Sequence, residues 1–380
     1  MKDKIKIGIV CYPTYGGSGV VATELGVALS KKNYEVHFIS YDQPFRLDLF
    51  SEKIYYHEVS VPQYPLFEYT PYELNLTSKL VDVAINEGLD LLHVHYAIPH
   101  ASAAISAKQI LSTQDMNIPI VTTLHGTDIT LLGKDASFKP VIEFAINMSD
   151  IVTVVSKDLK NETLAHFNIK KEINVISNFI DYSLYEQSQN LKLRNSFASN
   201  DEAIITHISN FREVKRVEDV IKIFYQVNKR KKAQLLMIGD GPDRSKCENL
   251  ARKLGIYKKI KFLGKLKVIE DLLAITDIFL LPSKTESFGL VALEAMASNT
   301  AVVSSNSGGL PEVNIDGVTG FLSDVGDINK MSNDICYLIA NSNLLNSFKS
   351  NALKHAKKFD LNNFLPKYEE VYNKLINNYD

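Results

Sequence analysis

Between Ile278 and Ala297 the chain reads IFLLPSKTESFGLVALEAMA, and this stretch narrows the choice of folds more than any other. Four apolar residues, Ile278 to Leu281, suit a buried parallel strand, which Pro282 ends. Ser283-Lys284-Thr285 form a turn. From Phe288 the pattern is helical and, through Leu290, Val291, Ala292, Leu293, Ala295 and Met296, almost wholly apolar, so the helix is expected to be buried. Two carboxylates interrupt it: Glu286 at the turn and Glu294 two turns into the helix. A charge in such a place is costly unless something pairs with it. The N–H groups of Ser287, Phe288, Gly289 and Leu290 aim into the crevice at the strand's carboxyl end, where an anion is favoured. A nucleotide sugar supplies both a phosphate for the helix N-terminus and hydroxyls for the carboxylates. Two Glu eight positions apart also arise by chance, so the spacing alone is weak evidence.

The remainder repeats this strand–helix unit. In the first half, strands are expected over Lys4–Tyr12, Val36–Ser40, Tyr55–Val61, Leu91–His95, Ile118–Leu124, Ile151–Ser156 and Asn174–Ser177. Helices between them begin near Ser18, Tyr72, Ala101, Phe138 and Asp158. Pro62 to Tyr69 reads as an aromatic, Pro-rich loop. Thr70-Pro71-Tyr72-Glu73 reads as a helix start, with Thr as N-cap and Pro at N1, and Gly88 as its stop. Asn178 to Asn200 is polar and weakly patterned and reads as a linker. Beyond it the plan recurs, with strands over 203–208, 233–238, 260–263, 278–281 and 301–304, and final helices over 327–341, 344–358 and 363–378. At 380 residues two domains are the natural expectation, here 1–177 and 178–361. Alternation of this kind makes each a doubly wound parallel α/β sheet.

Composition removes several classes. Lys and Arg number 42 against 44 Asp and Glu, so there is no basic excess to hold nucleic acid. No apolar run approaches the roughly 18 residues of a membrane span, and the N-terminal apolar stretch reads as a first strand rather than a secretion signal. Cys11, Cys247 and Cys336 are odd in number and scattered, which indicates neither a disulfide framework nor a zinc site. Three reduced thiols in a cytoplasmic protein is the expectation.

Several other groups admit chemistry. Gly17-Ser18-Gly19-Val20-Val21-Ala22 matches G-x-G-x-x-A, and Asp42 ends the second strand, which is the arrangement of an NAD-dependent oxidoreductase. Against that reading, Pro13 to Gly16 separate the first glycine from the strand, and Glu286 and Glu294 are left unexplained. The alternative is a glycine-rich loop, Gly16 and Gly17 included, that closes over a ligand, with Ser18 at a helix N-terminus; Gly chosen for tight packing alone is the third reading. His93 and His95 share a strand face, as zinc ligands do, but lack an acidic or Cys partner at matching spacing and read as core residues. No metal and no cofactor are expected.

The string E-S-F-G-L-V-A-L-E-A-M-A after an apolar strand resembles the E-x7-E signature of the retaining glycosyltransferases of family four, whose GT-B fold sets two Rossmann-like domains across a cleft. The resemblance extends over nearly the whole chain, through C-Y-P-T-Y-G-G-S-G-V-V-A-T-E-L-G, H-V-H-Y-A-I-P-H-A, T-L-H-G-T-D and I-S-N-F-R-x-V-K-R. It implies that Glu286 contacts the donor sugar, that Glu294 holds the ribose, and that Ser287 to Leu290 border the phosphate. It places Lys215 on a diphosphate-gripping Lys. The family Arg five residues earlier is Asn210 here, with Arg212 nearby as a substitute cation. His125 falls near the donor hexose, Gly239 to Arg244 border the cleft, and Leu266 lies beside the base. The final helix, 362–380, is expected to return to the first domain. Within the family these strings are similar to members that pass N-acetylglucosamine from UDP to the hydroxyl of L-malate, opening bacillithiol biosynthesis. A non-catalytic sensor of sugar nucleotides is the alternative from another class.

The acceptor loops agree. Pro13–Val20, Tyr96–Ser102 and Thr122–Thr130 contain no Lys or Arg. They offer helix N-terminal N–H groups and the hydroxyls of Ser18, Tyr96 and Thr123, and Arg244 is placed to add a guanidinium from across the cleft. That inventory suits a small dicarboxylate better than a lipid or a phosphorylated polyol.

Overall fold

The computed structural model describes residues 4–14, 16–48, 51–60, 71–186 and 190–379. The chain divides into two compact units. One comprises Met1–Phe179 with Leu361–Asp380, the other Ile180–Asp360.

The first unit runs β1 (Ile5–Val10), α1 (Gly17–Ser30), β2 (Tyr34–Ser40), β3 (Ile54–Glu58), α2 (Tyr72–Glu87), β4 (Leu91–His95), α3 (Ser102–Ser112), β5 (Ile120–Leu124), α4 (Lys139–Met148), β6 (Ile151–Val154), α5 (Lys157–His166) and β7 (Ile173–Val175). Its strands pair in parallel in the order β3-β2-β1-β4-β5-β6-β7. The second unit runs α6 (Leu191–Phe197), β8 (Ala203–Ile208), α7 (Val217–Asn228), β9 (Ala233–Ile238), α8 (Arg244–Lys253), β10 (Ile260–Gly264), α9 (Glu270–Ala274), β11 (Ile278–Leu281), α10 (Leu290–Ala297), β12 (Ala301–Ser305), α11 (Leu310–Val313), β13 (Gly320–Ser323), α12 (Ile328–Ala340) and α13 (Ser342–Ala356). Its order is β10-β9-β8-β11-β12-β13, again parallel.

Continuous apolar runs make these strands, because helices cover both faces of a parallel sheet. Ile205, Leu235, Ile278 and Val303, from four strands, pack with Ile221 and Phe224 of α7, Ile335 of α12 and Phe348 of α13. The last helix, α14 (Leu361–Tyr379), belongs to the first unit. Phe364, Leu365, Tyr368, Tyr372 and Leu375 are buried at three- and four-residue spacing along it. Tyr372 and Tyr368 reach the β4 histidines, their rings each 5.7 Å from that of His93.

In both sheets the strand order reverses once, between β1 and β4 and between β8 and β11. The crevice at the carboxyl ends of such neighbours is where doubly wound sheets bind ligands. Four loops border these two points: those after β1, β4, β8 and β11.

Several expectations need correction. The stretch read as a linker is structured where it is described: Tyr182–Tyr185 form a 3-10 turn and Leu191–Phe197 a helix. Asn190 caps that helix, accepting from the Leu193 N–H at 3.0 Å. Strand β13 and helix α11 were not foreseen. Pro71 precedes α2 at the cap position rather than at its first residue, while Gly88 ends it with φ 68° as expected. Thr70 and the loop 62–69 lie outside the described residues.

Candidate functional site

At the β8/β11 crevice the sequence-remote groups meet. Lys215 Nζ donates to Glu286 Oε1 at 2.6 Å, and Ser283 Oγ donates to the same oxygen at 2.8 Å. Both charged side chains are largely buried, with 21% and 11% of their surface exposed. Two backbone contacts set this geometry. The Lys284 N–H donates to the Val214 carbonyl at 2.8 Å, which ties the loop after β11 to the turn before α7. His207, buried on β8, lies 2.9 Å from the Leu280 carbonyl through Nδ1 and 2.8 Å from Ser209 Oγ through Nε2. A carbonyl only accepts, so Nδ1 carries the proton and Nε2 accepts from the serine. Burial pushes His207 down to about 4, so it is a neutral brace between the two strands.

The turn itself is strained. Phe211 and Arg216 have φ of 36° and 50°, and Phe211 is wholly buried. Bulky residues adopt such values only where surrounding packing enforces them, and they concentrate at functional sites. Asn210 and Arg212, on either side of Phe211, are exposed.

Glu294 lies on α10 with 4% exposure, and Tyr185 OH donates to its Oε1 at 3.0 Å. Sequence reasoning missed Tyr185 because it falls in the supposed linker. It also missed the segment after β12. The Gly309 N–H donates to the Glu286 carbonyl at 2.8 Å. A Cβ on Gly308, whose φ is 61°, would lie 2.0 Å from the same oxygen. Only glycine lets that chain pass so near Glu286. Ser287 is half-buried beside Glu286, and Phe288, Gly289 and Leu290 are buried where α10 begins, with Gly289 at φ 95° as its cap. Leu266, after β10, is half-buried.

Arg244 departs from expectation. Its guanidinium sits 3.0 Å from Glu248 and 3.6 Å from Asp240, so two carboxylates of its own unit already hold it.

In the first unit the β1/β4 crevice is formed by a second long-range pair. Tyr96 OH donates to Ser18 Oγ at 2.7 Å. Burial pushes the Tyr96 phenol up to about 12, so it stays a donor. Tyr96 has φ 88°, a third strained residue immediately after a central strand. Gly16 and Gly17 are exposed at the start of α1. Gly19, by contrast, is packed: an added Cβ would meet the carbonyls of Tyr12 and Thr14 at 2.7 Å.

Asp128, buried in the loop after β5, had been given no role. Its carboxylate accepts from Ala97 N–H at 2.7 Å and Gly126 N–H at 3.2 Å, which joins the loops after β4 and β5. Burial outweighs these bonds and raises it to about 6. Thr123 is a correction. It lies within β5, wholly buried, with its hydroxyl 2.7 Å from both His93 Nε2 and Thr153 Oγ1, and is therefore not presented to an acceptor. His125 is 8% exposed and its Nε2 lies 2.7 Å from His95 Nδ1. His93 and His95 are fully buried, as read from the sequence. Among the described residues no group of three or more His, Cys, Asp or Glu is placed to hold a metal ion.

Comparison with known proteins places this geometry. The profile described as Glycosyltransferase Family 4 matches residues 15–184, and that described as Glycosyl transferases group 1 matches residues 189–355. The chain is 45% identical over 371 residues to the N-acetyl-alpha-D-glucosaminyl L-malate synthase of Bacillus anthracis, covering 97% of each. The chain belongs to glycosyltransferase family 4. The dinucleotide reading of the first loop falls with that assignment. The fold of this glycosyltransferase is GT-B. It is similar to that of HepE of Anabaena, solved in complex with UDP and glucose, at a TM-score of 0.82 and 21% identity, covering 97% of this chain and 99% of that one. It is similar also to sucrose-phosphate synthase of Thermosynechococcus elongatus, at 0.81 and 20%, covering 98% and 99%. No helix among the described residues is long and apolar enough to cross a membrane.

Proposed function

We propose that this family-4 enzyme transfers N-acetylglucosamine from UDP-N-acetylglucosamine to the hydroxyl of L-malate with retention of the α configuration, the first step of bacillithiol biosynthesis in the cytoplasm. The observation that carries the donor side is the Lys215–Glu286–Ser283 contact at the β8/β11 crevice. The acceptor identity is supported by the 45% identity to the Bacillus anthracis synthase.

In this reading Lys215 and Arg212 neutralise the leaving diphosphate together with the start of α10, which lowers the barrier where negative charge develops. Asn210 replaces the family arginine and contributes no charge. Glu286 orients the sugar hydroxyls, and Glu294, steadied by Tyr185, holds the ribose. Leu266 borders the base, Gly16 and Gly17 close over the reacting end of the donor, and His125 meets the hexose. Malate sits against the N-terminus of α1 and the Ser18–Tyr96 pair. No side chain is required as a nucleophile. The acceptor hydroxyl attacks the anomeric carbon from the face that the diphosphate leaves, and its proton passes to a departing phosphate oxygen. Glu286 is then an orienting group and not a base.

The chemistry asks for no metal, since cations and helix dipoles serve the diphosphate, and activity is expected to survive EDTA. The deciding experiment is mass spectrometry after incubation with panels of donors and acceptors. A product of N-acetylglucosamine on malate is the expected result. Faster glycosylation of an inositol phosphate or a lipid would replace the acceptor assignment and leave the donor site standing.

A further inference from the structure

The buried histidines of the first unit carry more than a core role. His93 and His95 project from the same face of β4, their rings stacked 4.5 Å apart. His93 is fully engaged, with Tyr372 OH 2.7 Å from Nδ1 and Thr123 Oγ1 2.7 Å from Nε2. His95 is not. Its Nδ1 lies 2.7 Å from His125 Nε2, while its own Nε2 is buried and has no hydrogen-bond partner.

A nitrogen–nitrogen contact of that length holds one proton. Two arrangements of neutral rings satisfy it. If His125 donates from Nε2, then His95 accepts at Nδ1 and carries its proton on Nε2, which leaves an N–H donor buried without an acceptor. If His95 donates from Nδ1, its Nε2 is a bare lone pair. Orphaned buried N–H groups are rarer than under-satisfied acceptors, so the arrangement that leaves a bare lone pair is favoured. The neighbouring ring shows the same choice. His100 Nδ1 faces the His95 carbonyl, which only accepts, so His100 too is protonated at Nδ1 and leaves a buried, unpartnered bare Nε2. Doubly protonated rings are disfavoured: burial lowers His95 far below its ordinary value and holds His125 at about 3.

We propose that His95 is a positioning residue for His125: its Nδ1–H fills His125 Nε2 and fixes His125 as the Nδ1–H tautomer, so that His125 meets an oxygen of the sugar as a hydrogen-bond donor and never as a base. The second half rests on the donor contact proposed above for His125; the tautomer does not.

The test has two arms. Long-range proton–nitrogen NMR of the full chain with 15N-labelled histidine reads the tautomers directly. Protonated Nδ1 and bare Nε2 on His125 is the expected result, and a proton on His125 Nε2 overturns the proposal. In kinetics, His95→Leu removes the donor, whereas His95→Asn returns an N–H near the position of Nδ1. His95→Leu should raise the KM for UDP-N-acetylglucosamine about tenfold, the order of one lost hydrogen bond, and His95→Asn should bring it back to within a few-fold of wild type. If His125→Ala damages donor binding and His95→Leu does not, the positioning role is wrong. If neither changes donor KM, the contact of His125 with the sugar is wrong, and the tautomer result stands by itself. Should His95→Leu fail to fold, the wild-type spectrum and His95→Asn still decide the matter.

Discussion

The ammonium of Lys215 and the carboxylate of Glu286 lie 2.6 Å apart although 71 residues separate them in the chain. Neither loop alone would hold its charge so nearly buried. The pair exists because β8 and β11 are neighbours at the point where strand order reverses, and the contacts of His207 and Lys284 hold the two loops together.

Lys215→Ala and Glu286→Ala are each expected to lower kcat/KM by about a hundredfold or more, the usual effect of removing one preorganised electrostatic group. Because the partners touch, the double variant should fall well short of the product of the two losses. Steady-state kinetics on the three variants reads both effects. Wild-type turnover in either single variant would refute the site.

Tyr185→Phe removes a hydrogen bond to a buried carboxylate and no bulk. About 1.5–3 kcal/mol attaches to hydrogen bonds with charged groups, so UDP affinity should weaken at least about tenfold. Calorimetry with UDP alone measures it. An unchanged affinity would mean that Glu294 does not need Tyr185 to face the ribose.

Ser18→Ala and Tyr96→Phe should raise the malate KM more than the UDP-N-acetylglucosamine KM. The two hydroxyls are bonded to one another, so the second substitution should add little to the first. Equal effects on both substrates would remove these residues from the acceptor site.

Acid should loosen the first unit. His93 and His125 are held at about 3, His100 at about 4, and His95 far below its ordinary value, all through burial. The unfolded chain takes up these protons near pH 6.5 and the folded unit does not. The stability is therefore complete above that pH and declines as pH falls from there towards 4, by up to about 1.4 kcal/mol per pH unit for each histidine. Asp128 acts in the opposite sense. Raised to about 6, it binds a proton more readily in the fold and offsets part of the loss between pH 6 and 4. A melting temperature that stays flat from pH 7 to 5 would contradict this account.

Much of the fold was legible in advance because a parallel sheet buried on both faces writes itself as short apolar runs. Strands 91–95, 203–208, 233–238 and 278–281 have the expected bounds. Failures fall where local pattern does not carry the stability. Helix α6 is short and polar, and is held from outside itself: Arg194 donates to the Ile275 carbonyl at 2.7 Å and pairs with Asp277 at 2.8 Å. Strand β13 has four residues and begins with glycine, so its pairing with β12 leaves little trace in sequence. Thr123 was counted in the acceptor loop Thr122–Thr130 although the expected strand 118–124 already contained it; in β5 its side chain is wholly buried. Lys215 and Glu286, which the structure brings together, were singled out by type and motif, whereas the pairing of Arg244 with Asp240 and Glu248 was not. Tyr185, Gly308 and Asp128 were not, since each acts through a contact with a distant segment.

Helix α14 has a consequence for the order in which this protein takes shape. Tyr368 and Tyr372 are wholly buried in the first unit, and Tyr372 supplies a hydrogen-bond partner to His93 at its centre. Yet α14 leaves the ribosome after every residue of the second unit. The first unit, although translated first, must wait with an open face until the second has emerged, and the second has all its parts in hand earlier. A released chain truncated after Asp360 should thus hold a protease-resistant second unit and a susceptible first one.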